Sequence, residues 1–306
     1  MVGSPHLPVL YKTIITALQP KSPGCYIDGT LGAGGHAAGI LTESAPDGQL
    51  LGFDIDPQAL AIARETLAPF GERVQIVQAS YTTMKEEAAK RGWDAVDGIV
   101  LDFGVSSMQL DTPERGFSFL SDGPLDMRFS PNAGMSAAEM VNTFSEEDLA
   151  DIIFRYGEDR LARRIARSIV GNRPFESTKQ LADLILKSVG RPERIHPATR
   201  TFQALRIAVN GELDSIERVL PIAVGLLKPG GRLAAISFHS LEDRIVKDYF
   251  RHESRDCICP PRQPICTCGH KAIITEVNRK PIEADEEEVQ ANSRARSAKL
   301  RVAQKR

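Results

Sequence analysis

The sequence is poor in cysteine and tryptophan and has almost no net charge. Five cysteines among 306 residues are too few to hold the fold together by disulfides. The 38 basic and 40 acidic residues exclude binding of nucleic acid through a general positive charge, although local basic patches are still possible. No apolar run reaches the roughly 18 residues that span a bilayer, and the N-terminus lacks a secretory pattern. We therefore expect a cytoplasmic globular protein without membrane association.

Short apolar runs alternate with helical segments at the start of the chain. Strands are predicted over residues 25–29, 50–56, 74–79 and 96–102, and helices over 32–41, 57–67 and 83–91. Strands separated by single helices are typical of right-handed βαβ units. The pattern predicts an α/β fold with a buried parallel sheet.

This alternation stops in the middle of the chain and returns later. Residues 111–135 are rich in Gly, Pro, Ser and Asp, which predicts a long loop, and only helices are predicted over 136–190. After Asn210 we predict a helix, a turn at 228–231 and a strand at 232–238, with possible last strands at 272–277 and 300–303. We therefore expect one α/β domain over 1–111 and 210–306, interrupted by a helical insert over 112–209.

A glycine-rich turn follows the first predicted strand and opens a helix. It reads Asp-Gly-Thr-Leu-Gly-Ala-Gly-Gly-His over residues 28–36. Glycines let a backbone approach a ligand closely, and the helix N-terminus offers free N–H groups. Asp54 ends the second strand, where a carboxylate can accept hydrogen bonds from both ribose hydroxyls of an adenosyl group. Asp56 lies on the same face, and helix capping is the alternative role for either acid.

The residues of the glycine-rich turn indicate which adenosyl ligand the site binds. The glycine spacing departs from the G-x-G-x-x-G pattern of dinucleotide sites. Asp28 would repel a pyrophosphate, but it can pair with an amino group. The residues therefore favour S-adenosylmethionine over NAD.

Several long segments together are similar to those of one family. They are DGTLGAGGH (28–36), LDFGVSSMQLD (101–111), RGFSF (115–119), LDMR (125–128), TRTFQALRIAVNGEL (199–213), KPGGRL (228–233), ISFHSLEDR (236–244) and SRARSAKLR (293–301). In these segments the chain resembles the bacterial 16S ribosomal RNA cytosine-N4 methyltransferases. The resemblance implies a class I, Rossmann-like methyltransferase with a mainly parallel seven-stranded sheet and an inserted helical domain for substrate recognition. It also implies methylation of cytidine 1402 of 16S rRNA in the decoding centre, with the small ribosomal subunit as partner.

The resemblance also implies which residues bind the cofactor. They are Gly34, Gly35, His36, Asp54, Tyr81, Asp102 and Gln109. The segment Gly34–His36 would meet the methionine end of S-adenosylmethionine, and Asp54 would bind its ribose. Tyr81, where the family more often has Phe, would cover the adenine ring.

Asp102 is the candidate catalytic residue. It ends the fourth predicted strand, where many amino methyltransferases of DNA carry an acid, Asn or Ser followed by two prolines and an aromatic residue. Here Phe103 and Gly104 follow instead, so the two prolines are absent. Asp102 can contact the cofactor, accept a hydrogen bond from the cytosine amine, or only cap the loop.

Candidate RNA contacts lie in several places. By resemblance, the substrate residues are Arg200, Arg206, Asn210 and His239. His239 can equally be structural, and Ser240 after it is predicted to cap a helix. Two basic surfaces are further candidates: the helical arginines 160, 163, 164 and 167, and the tail from Ser293, which includes Arg301. For the helical arginines, a solvated face paired with the neighbouring acids is the alternative.

Four cysteines are concentrated in one short segment. Cys257, Cys259, Cys266 and Cys268 form two C-x-C pairs, whereas zinc knuckles usually have C-x-x-C spacing. Structural zinc, free thiols and a disulfide all remain open. No metal is predicted for the reaction itself, because methyl transfer from a sulfonium needs none.

Two functions of other classes compete with RNA methylation. An NAD-dependent oxidoreductase can use the same type of sheet, and a ribosome-assembly factor can keep the fold without catalysis. The first needs the phosphate-binding glycine spacing that is missing here, and the cofactor residues look too complete for the second.

Overall fold

The computed structural model describes residues 8–131, 134–190, 196–260, 263 and 265–306. The chain divides into two compact units. The first unit contains the chain up to Gly104 together with Leu213–Arg306, and the second unit is Val105–Glu212. The predicted insert, 112–209, falls within the second unit.

The first unit is built on a sheet that, in the part of the chain described, has seven strands. They are β1 (Cys25–Asp28), β2 (Gln49–Asp54), β3 (Val74–Gln78), β4 (Val96–Asp102), β5 (Leu227–Ser237), β6 (Ile274–Glu276) and β7 (Lys299–Lys305). Their order is β3-β2-β1-β4-β5-β7-β6. The first five strands are parallel, while β7 runs antiparallel to both β5 and β6. The predicted α/β class and mainly parallel seven-stranded sheet are confirmed.

The helices follow the predicted alternation. They are α1 (Tyr11–Leu18), α2 (Gly35–Glu43), α3 (Pro57–Leu67), α4 (Met84–Ala89), α5 (Ser107–Asp111), α6 (Ala137–Thr143), α7 (Glu146–Gly157), α8 (Ala162–Gly171), α9 (Thr178–Val189), α10 (Ala198–Asn210), α11 (Glu212–Leu226), α12 (Ser240–Glu253) and α13 (Glu286–Ala291). Helices α1, α5 and α13 were not predicted from the sequence. Among the residues described, no helix combines the length and apolar character needed to cross a membrane.

The central strands are buried on both faces. Neighbouring residues of a strand point to opposite faces, and Tyr26 and Ile27 of β1 belong to two separate apolar clusters. Leu50 and Leu51 of β2 divide in the same way, and all four are at most 1% exposed. Two-sided burial explains why these strands appear in the sequence as continuous apolar runs.

The turn predicted at 228–231 lies inside β5, where it interrupts the pairing of β5 with β4. Val96 of β4 pairs with Leu227, and Gly98 pairs next with Arg232, so the intervening residues of β5 leave the ladder. Lys228 Nζ lies 2.8 Å from Asp97 Oδ2, which ties this turn to β4. The predicted strand start at 232 is therefore the point where regular pairing resumes.

The second unit is helical in the segments described. Its apolar core includes Leu149, Ile153, Ile165, Ile169 and Leu181, from α7, α8 and α9. Ile165 and Ile169 recur at helical spacing on α8 and are both buried, whereas Leu161, which precedes the helix, is 40% exposed.

Candidate functional site

Three acids end adjacent strands of the first unit. Asp28 ends β1, Asp54 ends β2 and Asp102 ends β4. Because these strands are parallel and neighbours, their carboxyl ends share one edge of the sheet. The strand order reverses at β1 and β4, and ligands of open α/β sheets bind at such a switch point.

The glycine turn after β1 adopts backbone angles that favour glycine. Gly32 has a φ of 52° and Gly34 a φ of 86°. Gly34 is the cap residue of α2, which begins at Gly35. A Cβ on Gly35 would lie 2.4 Å from Pro8 Cγ, so a larger residue would force the chain apart. A Cβ on Gly32, in contrast, would have only the Thr30 carbonyl oxygen within 4 Å among the described residues, so the main chain is open at that position.

Asp54 and Asp56 have different roles. Asp56 caps α3, because its carboxylate accepts the Gln58 amide at 3.0 Å. Asp54 instead binds the glycine turn: Oδ2 accepts the Gly32 amide at 2.8 Å and Oδ1 the Asp56 amide at 2.9 Å. Burial raises the pKa of Asp54, and these amide bonds oppose the rise. Each carboxylate oxygen has two acceptor positions, so Asp54 can still bind ribose hydroxyls.

Asp28 is an acid with almost no exposure to solvent. It is 1% exposed, and its Oδ1 accepts the Thr30 amide at 3.1 Å. Its Oδ2 is buried and has no hydrogen-bond partner among the described residues. Burial raises the pKa of Asp28 to about 7, and nearby His36 limits the rise.

His36 and Asp102 lie next to each other. Nε2 of His36 is 3.6 Å from Asp102 Oδ2, and His36 is 5% exposed. Within the described part of the chain, neither ring nitrogen of His36 nor Oδ1 of Asp102 has a hydrogen-bond partner. The Asp102 amide donates to Thr30 Oγ1 at 2.6 Å, which fixes the end of β4 against the glycine turn.

These unpartnered atoms indicate a ligand. A buried polar group without a hydrogen bond costs about 1–3 kcal/mol, and native proteins hold few of them. Here such atoms occur together in Asp28, His36 and Asp102, all near one edge of the sheet. Carboxylates suit the positively charged amino group of a methionine tail and would repel a pyrophosphate. The donor set therefore fits S-adenosylmethionine better than a dinucleotide.

The two remaining predicted cofactor residues lie in different units. Tyr81 follows β3 in the first unit, and its ring makes an edge contact with Phe103 at 6.1 Å between centroids. Gln109 belongs to α5 of the second unit, where its Oε1 accepts the Ser106 amide at 3.0 Å. Cofactor contacts by Tyr81 and Gln109 stay predictions.

Two predicted RNA residues have internal partners in the second unit. Arg206 forms a two-bond ion pair with Glu212, at 2.8 and 2.9 Å. Asn210 holds the 127–129 loop, donating to the Met127 carbonyl and accepting the Phe129 amide, both at 2.8 Å. The third, Arg200, is exposed. RNA contact stays a prediction for all three, and only Arg200 presents its charge at the surface.

The cap of α12 differs from the prediction. His239, not Ser240, occupies the cap position, and Ser240 is the first helical residue. The carboxylate of Glu242 accepts the amides of Phe238 and His239 at 2.7 and 3.3 Å. The side chain of His239 is 11% exposed, and its Nε2 lies 3.1 Å from Glu242 Oε1. A contact of His239 with RNA remains a prediction.

One predicted basic surface needs correction. Arg301 of the C-terminal tail is 4% exposed and forms a two-bond ion pair with Asp243 of α12. It lies on β7, between β5 and β6, and so cannot meet RNA phosphates. The arginines of the other predicted surface, 160, 163, 164 and 167, are all exposed, with Arg167 Nε 3.3 Å from Glu146.

Sequence reasoning missed two residues of the site. Thr30 links the glycine turn to Asp102 through its hydroxyl. Tyr11 of α1 stacks on His36, with ring centroids 6.4 Å apart. Because Thr30 lies inside the glycine turn, its position in the sequence could have indicated a role in the site. Nothing in the sequence indicated that Tyr11 lies near His36.

Comparison with known proteins reveals close relatives. "Ribosomal RNA small subunit methyltransferase H" of Citrifermentans bemidjiense is 55% identical, over 98% of this chain and 98% of its own. The protein of the same name from Dehalococcoides mccartyi is 51% identical, over 100% of this chain and 88% of its own. A solved rRNA methylase structure from Streptococcus thermophilus has a TM-score of only 0.45 at 10% identity, covering 100% of this chain and 98% of its own. That likeness is too low to support an argument.

The family comparison covers nearly the whole chain. The model of the MraW methylase family matches residues 3–306. Neither competing function, the NAD-dependent oxidoreductase or the non-catalytic factor, is supported by these matches. The chain therefore belongs to the MraW methylase family, and it is an S-adenosylmethionine-dependent methyltransferase, as the sequence predicted.

Proposed function

We propose that this protein methylates N4 of cytidine 1402 in the rRNA of the small ribosomal subunit, using S-adenosylmethionine. The main support for a cofactor site is a group of buried polar atoms in Asp28, His36 and Asp102. These atoms lie at the carboxyl edge of the sheet and have no hydrogen-bond partner among the described residues. The relatives' names and the family resemblance support the rRNA substrate. Activity on a ribosomal substrate implies a cytoplasmic location.

The cofactor supplies an activated methyl group on a positively charged sulfur. Since that group needs no further activation, the protein contributes chiefly by positioning. The cytosine amine is a weak nucleophile, because its lone pair is delocalised into the ring. Oδ1 of Asp102 is free to accept an N4 hydrogen, which would increase electron density on the nitrogen and orient it. Asp102 can in addition contact the cofactor.

Other residues would hold the donor and its substrate. Asp54 would bind the ribose, and the buried carboxylate of Asp28 would pair with the amino group of the methionine tail. In the second unit, the exposed arginines of α8 supply charge for RNA phosphates. We propose that this unit recognises the substrate, whose target base must leave its stack to be methylated.

Mapping of rRNA modifications tests the proposed function. Mass spectrometry of rRNA from strains with and without the gene should show an N4-methyl group on cytidine 1402 only when the gene is present. Purified protein should restore it on small subunits from the deletion strain. A methyl group that persists without the gene, or appears on another nucleotide, would contradict the proposal.

Replacement of Asp54 should weaken cofactor binding. Asp54→Ala removes the ribose acceptor and should cost about 1.5–3 kcal/mol, which is roughly 10- to 150-fold in affinity. Calorimetric titration with S-adenosylmethionine measures the effect. The matched control is Asp56→Ala, which removes a helix cap and should lower stability by about 1 kcal/mol while leaving affinity unchanged. Equal losses of affinity in both variants would remove Asp54 from the ribose site.

Replacement of Asp28 should increase the stability of the folded protein and weaken its binding of S-adenosylmethionine. The pKa of Asp28 is about 7 in the folded protein against 3.8 ordinarily, so stability falls as pH rises from about 4 to about 7. Asp28→Asn removes this penalty and should add about 4 kcal/mol at pH 8 and about 1–2 kcal/mol at pH 5, since one pKa unit corresponds to about 1.4 kcal/mol. Urea unfolding at both pH values measures the gain. The same gain at both pH values would mean that the Asp28 charge is not responsible.

A further inference from the structure

The four clustered cysteines come together in the segment between α12 and β6. Their sulfur atoms all lie within 4.8 Å of one another. Cys268 contacts two of the others, with its Sγ 3.6 Å from that of Cys266 and 3.9 Å from that of Cys257. The fifth cysteine, Cys25, lies on β1 and does not belong to this group. The two C-x-C pairs thus form one four-sulfur cluster.

The sulfur distances match a zinc site. Zinc binds thiolates at about 2.3 Å, so a tetrahedron of four sulfurs around it has edges of about 3.8 Å. The Cys266–Cys268 and Cys257–Cys268 distances differ from this edge length by no more than about 0.2 Å. A disulfide needs its sulfurs at about 2.05 Å, well below either distance. The short C-x-C spacing therefore does not prevent four-sulfur geometry.

Among its described residues, the segment between α12 and β6 that carries the cysteines contributes no side chain to the apolar cores. Its large apolar side chains point outward: Ile258 is 38% exposed and Ile265 is 73% exposed. At its base, the Ile273 amide donates to the Glu253 carbonyl at 3.0 Å and the Ala272 amide donates to the Asp256 carboxylate at 3.2 Å. Segments too small to bury a core are commonly held by a metal or by disulfides. The cysteine cluster is the feature available for this purpose.

The chemistry of the cluster favours a soft metal in a closed site. Four sulfur ligands fill a tetrahedron and leave no position for water or substrate, which is the arrangement of structural zinc. The Ile258 amide points at Cys268 Sγ from 3.5 Å and can stabilise a bound thiolate. We propose that Cys257, Cys259, Cys266 and Cys268 bind one zinc ion that folds this segment and takes no part in methyl transfer.

A second group of possible ligands lies close to the cluster. His252, Glu253 and His270 offer three ligand atoms, but these are already engaged with protein. His252 Nδ1 lies 2.8 Å from Glu253 Oε1, and His270 Nδ1 lies 2.8 Å from the Arg255 carbonyl. The proposal therefore assigns zinc to the cysteines, and His252 provides a control.

Metal analysis of the purified full-length protein tests the proposal. Protein prepared under reducing conditions without chelator should contain one zinc per chain by mass spectrometry of the metal. Cys257→Ser and Cys268→Ser should each lose most of it, whereas Cys25→Ser and His252→Ala should keep it. Cobalt exchange into the unmutated protein should give the absorption of a four-thiolate tetrahedral site, which does not depend on whether a variant folds.

Three results would overturn the proposal. The first is protein with five titratable thiols and no zinc even after incubation with the ion. The second is a disulfide within the cluster in protein purified anaerobically. The third is zinc that is kept in both cluster variants or lost in His252→Ala. Since donor binding is measured separately, none of these results bears on the proposed methylation of rRNA.

Discussion

Asp102→Asn should lower the rate of methyl transfer by about 10²–10³, with little change in affinity for S-adenosylmethionine. Loss of one oriented hydrogen-bonding group at a reacting centre has about this effect, which corresponds to about 2.7–4 kcal/mol. The neutral amide keeps the size of the side chain but removes the charged acceptor that would orient the cytosine amine. Oδ1 of Asp102 has no internal partner among the described residues, so its role there is not structural hydrogen bonding.

Kinetics with the donor and with RNA separate the two roles of Asp102. A residue that acts on the amine changes kcat, whereas a residue that only holds the donor changes its affinity and KM. Single-turnover methylation of small subunits and calorimetric titration of the donor measure these quantities separately. Unchanged kcat with weakened donor binding would make Asp102 a cofactor contact only, and unchanged values of both would remove it from the site.

Arg301→Ala should destabilise the first unit by about 3–5 kcal/mol. Removal of one partner of a buried ion pair leaves the other charge without compensation, and this accounts for most of the loss. Here the charge left unpaired would be that of Asp243, which is 9% exposed and accepts hydrogen bonds from Arg301 at 2.6 and 3.0 Å. Urea unfolding measures the loss, and Lys305→Ala at the end of the same strand is a control with an effect within about 0.5 kcal/mol.

A double-mutant cycle identifies the source of this loss. Asp243→Ala alone should also destabilise, but the two changes together should cost less than the sum of the single changes, because neither charge is then left unpaired. Additive losses would mean that packing of the Arg301 side chain, rather than its charge, stabilises the unit. Arg301 should in either case make no direct contribution to the salt dependence of RNA binding, since it is buried.

The sequence identified the sheet well because its strands are buried on both faces. Continuous apolar runs made β1 to β4 visible, and α3 was predicted to the residue because Pro57 and the Asp56 cap mark its start. The arrangement of β7 could not be obtained in this way. Arg301 looked like part of a basic tail, and only the pairing of β7 between two strands shows that it is buried.

The acids at the strand ends of the candidate site could be predicted from the sequence. The contacts that these acids make could not. Asp54 and Asp102 follow apolar runs and could be placed at one sheet edge from topology rules alone. The division of roles between Asp54 and Asp56 depends on which amides each carboxylate accepts, and the sequence leaves this open. The stacking of Tyr11 on His36 joins residues that are distant in the sequence, so no local pattern indicates it.

An adenosyl donor should bind at the carboxyl edge of the sheet in the first unit. The decisive experiment is a crystal structure of the protein with S-adenosylhomocysteine. We expect a ribose hydroxyl within hydrogen-bonding distance of the Asp54 carboxylate and an amino group next to Asp28 or Asp102. A ligand bound away from these carboxylates, with the glycine turn left free, would contradict this expectation.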